Sequence, residues 1–181
     1  LMNAWIMRRP FKMPYEGSIC SPGVEAPTSA KAFYFMRHGE TPMNAAGQYT
    51  GQRDVPLSAL GVTQALAART TAGALPLGCV YHSSLQRARH TAALLGLSVP
   101  HHLHSGLNER HLGHWEGSPW GTIEDFAALP PGGGESQAQF QARVLEALEE
   151  ILLHSAPCAP LRPLLVAHGG TFYVLVEALL Q

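Results

Sequence analysis

Two segments of this chain share one grammar, an apolar run followed by His-Gly-x-Thr: Phe33-Tyr34-Phe35-Met36-Arg37-His38-Gly39-Glu40-Thr41 and Leu164-Leu165-Val166-Ala167-His168-Gly169-Gly170-Thr171. Each places a histidine where a strand turns into a helix. In an open α/β sheet, strand carboxyl ends and helix N-termini border the ligand crevice and direct unpaired N–H groups and partial positive charge into it. Such a crevice takes an anion, most often phosphate. A neutral imidazole nitrogen can attack phosphorus and split one hard hydrolysis into two easier displacements, provided the ring is held in the right tautomer. His38 is the candidate nucleophile. Gly39 permits close backbone approach, and Arg37 offers a forked guanidinium for two phosphate oxygens. Taken alone, the Arg-His pair also fits an ordinary surface turn.

Three more residues add to the constellation. Arg87 falls inside the first turns of a helix, where a cation faces the positive end of the macrodipole and an arriving phosphate would reverse that cost; a solvated helix residue like Arg89 is the bland reading. His168 should emerge in the same crevice as His38, where a second, preferably charged, imidazole stabilises the equatorial oxygens of a transferring phosphoryl group. Glu109, in Leu107-Asn108-Glu109-Arg110, is the candidate acid that protonates a leaving alkoxide and then deprotonates water. A loop carboxylate paired with Arg110 is its equal rival.

These residues need a scaffold of strands alternating with helices. The run 32–36 reads as a buried strand, and Thr41-Pro42 as N-cap and first helical residue. Ser58 caps a helix ending near Gly73, with Leu57 and Val62 at staple positions. Cys79-Val80-Tyr81 is a strand, and Ser83-Ser84 are read as capping a helix from Leu85 to a stop at Gly96. A brief strand is expected near Val99 to Leu103. Residues 104–134, rich in Gly, Pro and His, suggest a loop or small lid closed by Pro130-Pro131-Gly132-Gly133-Gly134. Ser136 and Gln139 form a capping box for a long amphipathic helix, 137–154. A strand at Leu164–Ala167 and a helix from Thr171 follow. That helical pattern reaches Gln181 without a stop signal and leaves room for a further edge strand. The alternation implies βαβ units and a mainly parallel sheet covered on both faces.

Bulk properties narrow the function classes. At 181 residues one domain is the default, with 46% hydrophobic and only 14% charged residues. Twelve Lys and Arg against 13 Asp and Glu give a formal net charge of −1, which offers no general grip on nucleic acid. No apolar stretch approaches the ~20 residues that span a bilayer. Cys20, Cys79 and Cys158 are odd in number and widely spaced, which fits a reducing cytoplasm, with Cys79 a core residue. Residues 1–31, with Pro10, Pro14, Pro22 and Pro27 and with Arg8-Arg9 after rather than before an apolar run, read as an irregular extension, and a short amphipathic anchor is the rival.

Several blocks in order resemble the histidine phosphatase superfamily in its phosphoglycerate-mutase-like branch. They are Arg37-His38-Gly39-Glu40-Thr41, Thr50-Gly51-Gln52-Arg53-Asp54 with Leu57-Ser58 and Gly61-x-x-Gln64-Ala65, Ser83-Ser84-Leu85-Gln86-Arg87-Ala88 with Thr91-Ala92, Leu107-Asn108-Glu109, Gly113-x-x-Glu116-Gly117, Pro131-Gly132-Gly133-Gly134-Glu135-Ser136 and Ala167-His168-Gly169-Gly170. The resemblance covers residues 32–181. It implies a three-layer αβα fold, His38 as the phosphorylated nucleophile, Arg37, Arg87 and His168 as the phosphate pocket, and Glu109 as proton donor. It implies no metal and no other cofactor. Asn44 and Gly51 match positions that contact phosphate or substrate, and Gly169 one that lines the pocket.

Departures from the family pattern favour a phosphatase of small phosphorylated molecules over a mutase. Mutases of the branch hold a second acidic group with a Tyr soon after the acid, a Lys and an Arg-Arg pair. Here Leu112 stands at the Tyr position, and residues 117–134 contain no Lys or Arg. The short lid leaves the phosphoenzyme open to water. Mutase-type phosphotransfer and a catalytically silent phosphate or phosphopeptide-binding module are the alternatives. His101-His102-x-His104 reads as a solvated or partly packed cluster rather than a metal site. Trp115 and Trp120 either anchor the lid or stack on substrate. Arg53 and Arg110 either select acidic groups or pair with Asp54 and Glu109.

Overall fold

The apolar runs become the strands of a single sheet, in the order β1-β2-β5-β3-β4. The computed structural model describes residues 5–7, 32–155 and 160–180. Its strands are β1 (Trp5–Met7), β2 (Phe33–Arg37), β3 (Leu77–His82), β4 (His101–Leu103) and β5 (Arg162–Ala167). Strands β2 to β5 are mutually parallel, while β1 runs antiparallel to β2. The last pairing amends the reading of residues 1–31 as irregular, because Trp5, Ile6 and Met7 extend the sheet at its edge. Cys20 and Cys158 lie outside the described residues.

The helices are α1 (Pro42–Ala45), α2 (Ala59–Ala67), α3 (Arg69–Gly73), α4 (Gln86–Leu94), α5 (Gln137–Ser155) and α6 (Gly169–Leu180). They cover both faces of the sheet, because side chains alternate sides along a strand. Phe33, Phe35, Leu165 and Ala167 pack with Phe140, Val144 and Leu148 of α5 and Leu175 of α6. Tyr34, Met36, Leu164 and Val166 pack on the other side with Ala72 of α3, Ala92 of α4 and Leu95. The expected three-layer αβα architecture is therefore present. Among the described residues no helix is long and apolar enough to cross a membrane.

Local signals explain most boundaries. Thr41 and Asn44 form a reciprocal capping box at the start of α1, with Pro42 at its first position. Ser58 caps α2 through Gly61 N, and Ser136 and Gln139 cap α5 in the same reciprocal way. Two expectations need correction. The single helix expected to end near Gly73 is two, joined at Ala68, although its apolar pattern runs through without a breaker. The N-cap of α4 is Leu85, with no side-chain cap. Its Gln86 N donates to Asp54 Oδ1 instead. Ser83 Oγ accepts only from the N-cap residue itself, Leu85 N at 3.1 Å, and both serine hydroxyls donate to Asn108, so neither caps a helical N–H.

Strand register brings the site together. Arg37 pairs with Ala167 across β2 and β5, and His82 with Val166 across β3 and β5. The next residues therefore leave three adjacent parallel strands together, His38 level with His168 and Ser83 one residue behind them. His38 N donates to Ala167 O at 3.0 Å, and Ser83 N to Val166 O at 3.1 Å, extending the ladder one residue past each strand.

Candidate active site

His38 is held as a neutral ring with a defined proton. Its Nδ1 lies 2.7 Å from Gly39 O, and a carbonyl only accepts, so Nδ1 carries the hydrogen. Its Nε2 accepts from Arg87 Nε at 3.2 Å, so the lone pair sits on the outer nitrogen. Burial first, and then the Arg87 charge, lower its pKa from 6.5 to about 3. The peptide that sets this tautomer is itself fixed, since Gly39 N donates to Thr91 Oγ1, whose hydroxyl donates to Arg87 O. A side chain on Gly39 would strike the Gly61 carbonyl, and one on Gly61 would strike Glu40 O. The first turn of α2 lies that close to the histidine turn, and Gln64 and Ser58 bind Glu40 there.

Arg87, the second residue of α4, is buried and aimed by three acceptors. Besides His38, it donates from Nη1 to Arg53 O at 2.8 Å and from Nη2 to Gly51 O at 2.7 Å. Burial lowers its pKa to about 10, which leaves it cationic at neutral pH. Gly51 serves this contact with a left-handed φ of +53°, and a side chain there would displace the Glu116 carboxylate beneath it. Arg37, at the exposed end of β2, makes no hydrogen bond among the described residues. Its guanidinium lies over Gly169, about 4 Å from where a side chain on that glycine would begin. One guanidinium is thus preset and the other is available to a ligand.

The ring of His168 stands 5.0 Å from that of His38, centroid to centroid. Its Nε2 is 2.7 Å from Ser83 Oγ. Ser83 donates in turn to Asn108 Oδ1 at 2.8 Å, an atom that also accepts from Ser84 N. An amide oxygen has no proton to offer, so the Ser83 hydrogen points to Asn108 and its oxygen accepts from His168. Nε2 of His168 is therefore the protonated nitrogen. Its Nδ1 is buried with no partner among the described residues, as is Thr50 Oγ1 on the wall of the same cleft. Burial, followed by Arg87, drives the His168 pKa well below 6.5. A bound phosphate dianion would favour a proton on Nδ1.

Glu109 sits at the start of α6. Its Oε2 accepts from Gly170 N at 3.0 Å and its Oε1 from Arg110 N at 2.9 Å. A side chain on Gly170 would collide with that carboxylate. The expected alternative of a Glu109–Arg110 ion pair does not form. The Arg110 guanidinium turns to Phe126 O, Ala128 O and Glu135 O, fastening the lid. Arg143 fastens the other side, donating to both oxygens of Glu135 and to the carbonyls of Gly106 and Asn108. Arg53 pairs with Glu116 at 3.8 Å rather than with Asp54.

One cleft of about 440 Å³ is lined by Arg37, His38, Asn44, Gly51, Arg87, Glu109 and Gly169 among others. His168 lies directly behind His38. Asn44 commits its side-chain oxygen to Thr41 N, so only its amide hydrogens are left for a ligand. Reading the sequence missed Thr50, Ser83, Asn108, Gly170 and Arg143 as site residues. The first four lie inside the motif blocks, whereas Arg143, on the polar face of α5, had no local signal at all. The two tryptophans divide their roles: Trp115 stacks on Phe126 within the lid, and Trp120 lines the cleft. In the histidine cluster, His102 stacks on Tyr81 and His104 binds Glu150.

Residues 33–181 match the model of a family described as the histidine phosphatase superfamily (branch 1). The chain is 34% identical over 163 residues to an adenosylcobalamin/alpha-ribazole phosphatase of Salmonella typhimurium, covering 81% of this chain and 78% of that protein. It is 34% identical over 170 residues to a glucosyl-3-phosphoglycerate phosphatase of Mycobacterium tuberculosis, covering 84% and 76%. Among solved structures, a protein of Thermus thermophilus superposes with a TM-score of 0.65 at 36% identity, over 79% of this chain and 81% of that one.

Proposed function

This chain belongs to the histidine phosphatase superfamily and is a phosphoric monoester hydrolase, and from that premise we propose that it cleaves small phosphomonoesters, without a metal, through a phosphohistidine on His38. The observation that carries the reading is the tautomer of His38. A backbone carbonyl holds the proton on Nδ1 and a guanidinium marks Nε2 as the lone pair. The ring is a neutral nucleophile in the right tautomer, and its lone pair reaches phosphorus once Arg87 Nε gives up the hydrogen bond to it.

In the proposed cycle, Arg37, Arg87 and His168 hold the phosphoryl oxygens. The Nε2 lone pair of His38 attacks phosphorus, forming an N–P bond as the P–O bond to the alcohol breaks. Protonated Glu109 gives its proton to the departing alkoxide. A water then loses a proton to the Glu109 carboxylate and attacks phosphorus, breaking the N–P bond and releasing inorganic phosphate. Charge stabilisation by preset donors supplies most of the acceleration. Residues 32–181 constitute the catalytic domain in this reading, Asn44, Gly51 and Gly169 border the substrate, and a cytoplasmic location fits the odd, widely spaced cysteines.

Release of phosphate from an aryl phosphate tests the proposal. We expect His38→Ala to abolish turnover and a chelator to leave it unchanged. Full activity in that variant would remove His38 from the chemistry. Transfer of the phosphoryl group between hydroxyls, without free phosphate, would mark a mutase, and tight phosphate binding without turnover a silent binding module.

A further inference from the structure

Beyond its phosphate end the cleft changes character. Its outer walls are Tyr49, Leu112, Trp120, Phe126, Phe140 and Tyr173. Trp120 is 54% exposed, Phe126 42% and Tyr173 70%, so large rings stand uncovered at the mouth. They are not loose. Trp120 N donates to Gly47 O at 2.7 Å and Tyr49 N to Ser118 O at 2.9 Å, which ties this part of the lid to the turn after α1. Phe126 packs between Tyr49, at 5.4 Å, and Trp115, at 6.3 Å between ring centroids. A wall fixed in advance binds a flat group without having to order itself.

Among the described residues the same walls have no cation to spare. The arginines lining the cleft are Arg37, Arg87 and Arg110. The first two belong to the phosphate end. Arg110 spends its donors on Phe126 O, Ala128 O, Glu135 O and Gln137 Oε1, and its guanidinium lies 5.5 Å over the Phe126 ring. Arg53 is engaged by Glu116. The two lysines of the sequence, Lys12 and Lys31, fall outside the described residues. A carboxylate on the leaving alcohol would thus lose water without gaining a counter-charge, in a cleft that already holds Glu109. The amides of Gln48 and Gln137 offer hydrogen bonds but no charge.

We propose that the outer cleft is a subsite for an uncharged, aryl-bearing leaving group stacked on Trp120, which makes phosphomonoesters of neutral aromatic alcohols the preferred substrate class. The proposal rests on the phosphatase reading above and specifies it. Trp120, Phe126 and Tyr173 are its specificity-determining residues. The selection is positive, through ring burial, and negative, because no free counter-charge faces the outer cleft among the described residues.

The test compares alcohols matched in leaving-group basicity: benzyl phosphate, 4-carboxybenzyl phosphate and ethyl phosphate. Benzyl phosphate should exceed each of the other two in kcat/KM by about tenfold or more, the effect of one well-covered ring or one unpaired charge. In Trp120→Ala the benzyl-to-ethyl ratio should fall by about tenfold, mainly through KM. Equal or better use of 4-carboxybenzyl phosphate, or an unchanged ratio in that variant, would overturn the proposal. Calorimetric binding of benzylphosphonate against 4-carboxybenzylphosphonate gives a second readout that needs no turnover. If no ester is hydrolysed, the phosphatase reading fails while the ratio of the two dissociation constants still decides the subsite: tenfold in favour of the neutral ring sustains it, and parity rejects it.

Discussion

The hydroxyl of Ser83 lies 2.7 Å from Nε2 of His168, and Asn108 claims the hydrogen of that hydroxyl. The tautomer of the inner histidine is thereby written into the turn after β3. It leaves Nδ1 buried with its lone pair unpartnered among the described residues.

Ser83→Ala should therefore impair catalysis without emptying the phosphate pocket of its named groups. The variant strands a buried Nε2–H, a loss of about 1–3 kcal/mol, and frees the ring to exchange tautomers. We expect kcat/KM for an aryl phosphate to fall by about tenfold to a hundredfold, on the same free-energy scale. Nitrogen chemical shifts of His168 provide the readout specific to positioning, since they should report a mixed tautomer in the variant and Nε2–H alone in the parent. Identical spectra would show that Ser83 does not set the ring.

Gly170 carries the second positional demand. Its N–H holds Glu109 Oε2 at 3.0 Å, and a methyl group on its Cα would occupy the place of that carboxylate. Gly170→Ala should push the acid aside while leaving His38 and Arg87 alone. Proton donation matters most for a basic leaving group, so the variant should lose about a hundredfold on an alkyl phosphate and much less on p-nitrophenyl phosphate. Equal losses on both substrates would separate Glu109 from the leaving-group step.

Arg110 is the strap of the lid, and its removal should be felt in substrate binding. Arg110→Ala leaves the carbonyls of Phe126, Ala128 and Glu135 without their donor and takes the cation from above the Phe126 ring. Hydrogen bonds to a charged donor contribute about 1.5–3 kcal/mol each, so a clear drop in melting temperature is expected. Hydrogen exchange at residues 126–128 should accelerate and KM should rise more than kcat falls. Unchanged exchange there would mean that the lid is held by something else.

What could be read in the sequence divides along the range of the interaction. The strand cores, the capping boxes at Thr41 and Ser136 and the long helix α5 are set by neighbours within a few residues, and their signals are local. The pairing of His38 with His168 was also legible, because both follow apolar strands with the same turn grammar. The role of Ser83 was not. Its sequence position next to a helix start suggests a cap, and it does accept from Leu85 N, but the partners that give it its place at the site are 25 and 85 residues away. Arg110 misled for a similar reason. Adjacency to Glu109 suggests an ion pair, yet the backbone points the two side chains apart, and only the folded lid supplies the carbonyls that the guanidinium meets. The split between α2 and α3 falls in a run of good helix formers with no glycine or proline, and neither residue type nor spacing marks it.

The neutral state of His38 also makes stability depend on pH, with a definite sign. In the unfolded chain its imidazole takes a proton below 6.5, but in the folded protein only below about 3. Between those limits the unfolded chain binds one more proton, so acid draws the equilibrium toward it. The contribution is complete above pH 6.5 and is lost as pH falls through the window down to about 3. One proton corresponds to about a tenfold change in the folding constant per pH unit. His168, lowered for the same first cause of burial, acts in the same direction, and Arg87 and Arg37 reinforce both. Denaturant titrations between pH 4 and 6 should show wild type losing stability with about tenfold more change per pH unit than His38→Gln. Parallel slopes for wild type and variant would mean that His38 is not held neutral in the free protein, and with it the resting nucleophile would be lost.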